Sequence, residues 1–160
     1  MDNQSFSISL WIQPQSLSST LVHISTLSNG AGSWCLPFIG FTSNNTLAAQ
    51  IYDGTTIVSV IASTLIPVST PFWTHIVQTW NSTNGLRFYI DNILVASQPS
   101  ATTFVANGTT PNYVTLASSL SGSRLTSGIV INKQFTGDVD DFRIYSRELS
   151  ANDVCVLYIG

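Results

Sequence analysis

Hydrophobic and polar residues alternate along most of this chain. In the segment FSISLWIQP, the residues Phe6, Ile8, Leu10 and Ile12 hold every second position, and Pro14 ends the run. A period of two predicts a β-strand with one buried face. Turn-forming sequences such as SNGAG, DGT, NSTNG and SLSGS separate further runs of this kind. The pattern predicts about eleven short strands, at residues 6–14, 21–27, 34–41, 46–53, 56–63, 72–80, 86–91, 93–97, 112–118, 128–133 and within 135–150.

Local signals add two details to this all-β pattern. The residues Asp91 and Asn92 both tolerate a positive φ, so a tight type I′ hairpin is predicted between the runs FYI and ILV. No helical pattern of ten residues occurs. The sequence S-x-x-D from Ser150 to Asp153 resembles a capping box and predicts a single helical turn before Cys155. Many short strands separated by turns are typical of a β-sandwich or barrel.

The segment FTGDVDDFRIYSRELS (residues 135–150) interrupts the alternation. Its apolar face includes the odd position Val139 but then shifts to the even position Phe142. One extra residue in a strand, a β-bulge, produces such a shift, and the insertion falls at Asp140 and Asp141. We therefore expect at least one of these carboxylates to turn toward neighbouring backbone or the edge of the core, where it accepts hydrogen bonds or binds a cation.

Three interpretations of the acidic pair follow. In the structural one, an aspartate holds loop N–H groups while Arg143 and Arg147 neutralise its charge. In the second, Asp140 or Asp141 binds Ca²⁺ together with loop carbonyl groups, since calcium prefers oxygen ligands. A catalytic carboxylate pair is disfavoured, because adjacent residues of a strand point to opposite faces and do not flank one substrate.

Three segments carry a resemblance to a known family. The segment FTGDVDDFRIYSRELS resembles a closing segment, FSISLWIQP an early strand, and WTHIVQTWNSTNGLRFYIDNILV a central three-stranded meander. In this order they resemble a LamG-like jelly-roll domain of the concanavalin A-like lectin/glucanase superfamily. The resemblance implies an all-β, two-sheet antiparallel jelly-roll sandwich. We expect one such domain over residues 1–160, belonging to a larger protein.

The same resemblance implies a non-catalytic recognition or adhesion module of an extracellular or cell-surface protein. Such modules bind glycans or proteins through rim loops, in some cases with Ca²⁺. Only 8% of the residues are charged, and the net charge is −3, so a neutral glycan is favoured over a protein ligand. The five basic residues form no run, which excludes a surface that follows nucleic-acid phosphates. No apolar run is long enough for membrane insertion.

Two alternatives to a recognition module remain open. The first is a purely structural or assembly domain of a larger protein. The second is a divergent glycoside hydrolase, because this fold also includes such enzymes. Glu148 is the one glutamate in the chain, whereas glycoside hydrolysis requires a proton donor and a second carboxylate at close range. The histidines His23 and His75 lie within predicted strands, which favours a structural role for both.

Residues beside predicted loops are the candidates for a carbohydrate site. Trp34 and Tyr52 could stack on a sugar ring, while Asp53, Asn81 and Asn84 could bind its hydroxyl groups. The two cysteines, Cys35 and Cys155, lie far apart in the sequence. They either form a disulfide or remain as free thiols, and their spacing decides neither.

Overall fold

The computed structural model describes residues 2–106, 112–122 and 128–160, and in these residues it contains ten strands and one helix. The elements are β1 (Phe6–Pro14), β2 (Thr20–Ser25), β3 (Cys35–Phe41), β4 (Leu47–Tyr52), β5 (Ile57–Ile61), β6 (Thr74–Asn81), β7 (Gly85–Ile90), β8 (Ile93–Gln98), β9 (Tyr113–Leu116), β10 (Gly137–Tyr145) and α1 (Ala151–Ile159).

The strands form two antiparallel sheets of five. The first sheet has the order β10-β1-β6-β7-β8, and the second has the order β5-β4-β3-β2-β9. The alternating residues Ile8, Leu10 and Ile12 of β1 are buried between the sheets, as a period-two pattern requires. The predicted antiparallel jelly-roll sandwich is confirmed.

The bulge predicted in the acidic segment is present. The register of β1 against β10 passes from Ser9↔Arg143 to Trp11↔Asp140, so β10 contains one extra residue at this point. Asp141 absorbs the insertion with a φ of 47°, a left-handed conformation that aspartate tolerates better than most residues. As expected, one carboxylate turns toward neighbouring backbone: Asp140 accepts a hydrogen bond from the N–H of Asp141. Neither acid lies at the core, because both Asp140 and Asp141 are exposed. The left-handed backbone accommodates the extra residue without turning either acid toward the core.

The predicted strand at 128–133 is not a strand. It makes one isolated bridge, Thr42↔Val130. Its neighbouring N–H groups find different partners: Ile131 donates to the carbonyl of Phe41, and Ile129 donates to the side-chain oxygen of Gln50. Because the hydrogen bonds go to both backbone and side chains, the segment lies against the second sheet without extending its ladder.

The helix α1 is longer than predicted. The capping box at Ser150 and Asp153 is present, but the helix continues to Ile159 and is not limited to a single turn. Val154 is buried and packs with Val77 and Tyr89 on the outer face of the first sheet. This tertiary contact stabilises turns that the local sequence does not predict, since short helices depend on packing.

The Asp91–Asn92 hairpin forms as the sequence predicts. Asp91 and Asn92 have φ values of 48° and 65°, which confirms the type I′ turn. The Asp91 carboxylate also accepts a hydrogen bond of 2.8 Å from the backbone N–H of His75.

Cys35 in β3 and Cys155 in α1 are both free thiols, in agreement with their positions in different layers of the fold.

Candidate functional site

The residues predicted for a carbohydrate site lie where strands begin or end. Tyr52 ends β4 and Asn81 ends β6. A segment after β8 connects these two strands: the backbone N–H of Val105 donates to the carbonyl of Tyr52, and the ring of Phe104 lies 5.6 Å from that of Trp80. The ends of β4 and β6 and the segment after β8 therefore lie at one end of the sandwich, and we call this end the rim.

At the rim, the β4–β5 loop is tightly hydrogen-bonded around Asp53. Its Oδ1 accepts bonds of 2.7 Å and 2.8 Å from the N–H groups of Thr56 and Thr55. These bonds, that from Thr56 first, lower the pKa of Asp53, so the carboxylate is negative at neutral pH. The hydroxyl group of Tyr52 donates to the carbonyl of Gly54 at 2.8 Å. The loop thus presents a fixed, partly exposed carboxylate.

A cleft of about 410 Å³ lies beside this carboxylate, and we call it the rim cleft. It is lined by Asp53, Thr55, Val58, Gln98, Ser100, Ala101, Thr102 and Thr103. Hydroxyl groups, one amide and one carboxylate dominate this lining. Hydroxyl, amide and carboxylate groups are those that fix a polar ligand by hydrogen bonds.

The sequence did not single out the part of the rim cleft at residues 98–103. This segment has no periodicity and no motif, and it approaches Asp53 only because β8 ends next to the β4–β5 loop. Its composition, QPSATT, was the available signal. A short polar, proline-containing stretch after an edge strand indicates a surface loop, and surface loops frequently carry binding residues.

The two predicted asparagines do not line the rim cleft. Asn81 donates from Nδ2 to Oγ of Ser5 at 2.8 Å and accepts from the N–H of Thr83 at 2.7 Å. Asn84 donates from Nδ2 to Oε2 of Glu148 at 2.7 Å. Both asparagines connect the β6–β7 turn to distant parts of the chain. A ligand contact at either residue stays a prediction.

Trp34 is buried and does not form an exposed stacking surface. Only 2% of it is accessible, and its ring lies 6.1 Å from that of Phe38 in an edge-to-face arrangement. The flanking loop suggested that Trp34 is exposed. The indole ring instead packs in the core, because this buries its large apolar area. Trp34 instead contributes to a second cleft.

The second cleft is lined by residues of both sheets, has a volume of about 490 Å³, and is called the edge cleft. The strands β10 and β9, each outermost in its sheet, supply residues to its lining. The lining is predominantly apolar. Its described residues are Gln4, Ser5, Phe6, Ile8, Ile24, Trp34, Phe38, Phe104, Ala106, Asn112, Val114, Ile144, Tyr145 and Ser146.

The acidic pair forms local contacts only. Asp140 accepts a hydrogen bond of 2.7 Å from the N–H of Asp141, and Asp141 accepts one of 2.7 Å from Nε of Arg143. Arg147 pairs with Asp153 and not with the acidic pair. Across the described ranges, no three His, Cys, Asp or Glu side chains form a group that could hold a metal ion. A Ca²⁺ ion here would need additional carbonyl, hydroxyl or water oxygens, and it stays a prediction.

Among the described residues, no two carboxylates meet in either cleft. Asp53 is the one carboxylate among the described residues that line them. Glu148 lies elsewhere, bound to Asn84 and 3.6 Å from Arg87. The two clefts therefore offer hydrogen bonds and apolar contacts to a ligand, whereas glycoside hydrolysis uses two carboxyl groups at one substrate.

Comparison with known families agrees with this architecture. A family model, Laminin_G_3, described as the concanavalin A-like lectin/glucanases superfamily, matches residues 1–155. The chain belongs to this family. The resemblance seen in the three sequence segments is therefore confirmed. Among curated proteins, none matches the sequence significantly. The helix among the described residues does not meet the length needed to cross a membrane.

Several solved structures share the fold. The sialidase CBM40 of Ruminococcus gnavus, bound to α2,3-sialyllactose, matches with a TM-score of 0.68 and 13% identity, over 97% of this chain and 83% of that one. A heptameric SAP-like pentraxin from Limulus polyphemus matches with a TM-score of 0.65 and 10% identity, over 98% and 70% of the two chains.

A third structure is domain 4 of a GH43 extracellular arabinanase from Geobacillus stearothermophilus, in complex with arabinotriose. It matches with a TM-score of 0.57 and 19% identity, over 98% of this chain and 67% of that one. At these low identities, the three likenesses establish the fold alone.

Proposed function

We propose that this protein is a non-catalytic recognition module that binds a neutral glycan in the rim cleft. The observation that carries the proposal is the polar lining of that cleft. Asp53 is held by hydrogen bonds from the loop N–H groups, and Gln98 and Thr102 line the same cleft from another segment. Two separate loops thus direct hydrogen-bonding groups into one cavity, as sugar hydroxyl groups require.

The charge of the cleft favours a neutral or cationic ligand over an anionic one. Asp53 is its one charged lining residue among those described, and its lowered pKa keeps it ionised. Its Oδ1 accepts two loop N–H groups, and its Oδ2 accepts the Thr56 hydroxyl group at 3.2 Å, which leaves one acceptor position for a sugar hydroxyl group. The negative charge repels a phosphate or sulfate. The domain as a whole carries a net charge of −3, which disfavours polyanionic partners in the same way.

Family membership supports the assignment to recognition. The superfamily contains both lectins and glucanases, and the similar structures include two solved with oligosaccharides. The described residues that line the two clefts include no carboxylate pair, which favours a lectin over a glucanase. The domain serves as one part of a larger extracellular or cell-surface protein, where a solvent-exposed rim reaches glycans on other molecules.

A glycan array tests the proposal, run once with calcium and once with EDTA. We expect hits among neutral oligosaccharides, and EDTA-sensitive hits would add a calcium requirement. The variants Gln98→Ala and Thr102→Ala should each weaken the best hit about twofold to tenfold, because each removes one hydrogen bond. Ser82→Ala, an exposed change at the same rim but outside the cleft, should leave affinity unchanged.

Three outcomes would contradict the proposal. Silence of the array in both conditions would favour a structural or protein-binding domain. Equal effects of Thr102→Ala and Ser82→Ala on the best hit would place glycan binding outside the rim cleft. Release of reducing sugar from any bound glycan would instead indicate the hydrolase alternative.

A further inference from the structure

The edge cleft is separate from the rim cleft and shares none of its lining residues. On the first sheet it is bounded by Ile8 of β1 and Ile144 of β10. On the second sheet it is bounded by Ile24 of β2 and Val114 of β9. These four residues belong to adjacent strands at one edge of each sheet. The cleft is therefore a gap between the two layers, accessible from the side of the sandwich.

The walls of the edge cleft are predominantly apolar, and its described lining residues are uncharged. The aromatic rings of Phe6, Trp34, Phe38 and Phe104 line it, and no described lining residue carries a charge. The branched side chains of Val114 and Ile144 remain 41% and 50% exposed. Contact of such surfaces with an apolar ligand is favourable, because it removes hydrocarbon from water. A charged ligand would lose its hydration without gaining an ionic partner.

Two side chains that line this cleft hold buried polar atoms without hydrogen-bond partners. They are Nε1 of Trp34 and Oδ1 of Asn112, each without a partner within the described part of the chain. The indole N–H is a donor and the amide oxygen is an acceptor. The other core indole is satisfied: Nε1 of Trp80 donates to the carbonyl of Ala101 at 2.7 Å. The indole N–H and the amide oxygen without partners thus belong to two residues that line the edge cleft.

We infer that the edge cleft is a second binding site, for an uncharged and largely apolar small molecule that carries a hydroxyl or carbonyl group. Its volume of about 490 Å³ falls within the range of small-molecule pockets. The ligand's apolar body contacts the aromatic walls, and its oxygen accepts a hydrogen bond from Trp34. A hydroxyl hydrogen is available to Asn112. This site is independent of glycan binding at the rim.

Titration with Nile red tests the site, because this dye is uncharged, aromatic and carbonyl-bearing and fluoresces more strongly in apolar surroundings. We expect saturable binding of one dye per chain. Val114→Phe should weaken it at least about tenfold by filling the mouth of the cleft. The control Ile93→Phe changes another exposed strand residue that does not line the cleft and should bind as tightly as the unmodified protein.

Displacement of the dye tests the hydrogen bond to Trp34. The competitors 4-phenylphenol and biphenyl differ by one hydroxyl group. The unmodified protein should prefer 4-phenylphenol, and Trp34→Phe should reduce this preference about threefold to tenfold. If thermal melting shows that this variant does not fold, Asn112→Ala provides the same comparison. Likewise, Ile144→Phe replaces Val114→Phe on the opposite wall.

Several results would overturn the inference. They are non-saturable dye fluorescence, equal dye affinity in Val114→Phe and Ile93→Phe, and an unchanged preference between the two competitors in Trp34→Phe. Gln98→Ala, which alters the rim cleft, should leave dye binding unaffected. Failure of the edge cleft and failure of glycan binding at the rim therefore give distinguishable results.

Discussion

The hydroxyl oxygen of Ser9 lies 3.0 Å from Nε2 of His75, and both residues are buried on the outer face of the first sheet beside α1. The His75 ring forms a cluster with two aromatic rings: it lies 4.7 Å from that of Trp11 and 6.1 Å from that of Tyr158, and these two lie 5.8 Å apart. Its other nitrogen, Nδ1, has no partner in the described residues. The imidazole therefore acts as a neutral packing element beside the helix.

This burial predicts a loss of stability in mild acid. Desolvation lowers the pKa of His75 to about 4, although the nearby Asp141 opposes the shift and Arg143 adds to it. Between pH 6.5 and pH 4, the unfolded chain binds a proton at this residue that the folded state does not bind. Stability is thus complete above pH 6.5 and falls as the pH approaches 4.

Urea unfolding across this pH range checks the prediction. His75→Gln should reduce the dependence on pH. His23 should retain its own contribution of the same sign, because burial also lowers its pKa. An unchanged dependence in His75→Gln would contradict the assignment to this residue.

The capping box of α1 predicts a measurable cost for Ser150→Ala. The Ser150 hydroxyl accepts a hydrogen bond from the N–H of Asp153, whose carboxylate in turn accepts one from the N–H of Ser150 at 2.8 Å. Removing the hydroxyl should lower the free energy of unfolding by about 1 kcal/mol. Asn152→Ala, an exposed change in the same turn, is the control and should not destabilise the protein. Equal midpoints for the two variants in urea would argue against the cap.

The bulge predicts that the residue at position 141 matters for its backbone and not for its charge. Asp141→Val should destabilise the protein by about 1–2 kcal/mol, because a β-branched residue is strained at a positive φ. Asp141→Asn should cost little, since asparagine tolerates this conformation. Asp138→Val makes the same chemical change at an exposed position of the same strand without a positive φ. In thermal unfolding, Asp141→Val should have a lower midpoint than Asp141→Asn and Asp138→Val.

Calcium binding at the acidic pair is tested by a thermal melt. A ligand that binds the folded state raises the unfolding temperature, so millimolar Ca²⁺ should do so if Asp140 and Asp141 coordinate it. The doubly substituted variant Asp140→Asn with Asp141→Asn should lose the shift, and Mg²⁺ serves as a second-ion comparison. An unfolding temperature that Ca²⁺ leaves unchanged in the unmodified protein would contradict calcium binding at this pair.

The sequence predicted those features that backbone geometry dictates. The change of parity between Val139 and Phe142 located the bulge, because a regular strand alternates its faces and an inserted residue shifts that alternation by one. The positive φ tolerated by Asp91 and Asn92 located the hairpin in the same manner. These signals are local, and each depends on a few adjacent residues.

Features that depend on distant contacts were not predicted. The length of α1 depends on Val77 and Tyr89, which lie far away in the sequence. The burial of Trp34 depends on an aromatic cluster drawn from several elements. The rim cleft likewise joins the β4–β5 loop to residues 98–103 only after the two sheets pack. No periodicity in the sequence predicts that two such distant segments will line one cleft.

The pairing of β1 with β10 has a consequence for synthesis on the ribosome. Ser7 is aligned with Tyr145, so β1 meets one of its two neighbours only after the strands β2 to β9 have been translated. Until then, one edge of β1 offers unpaired N–H and C=O groups to other nascent chains. Chaperone dependence during expression, with refolding slow relative to helical proteins of equal length, is the expected result.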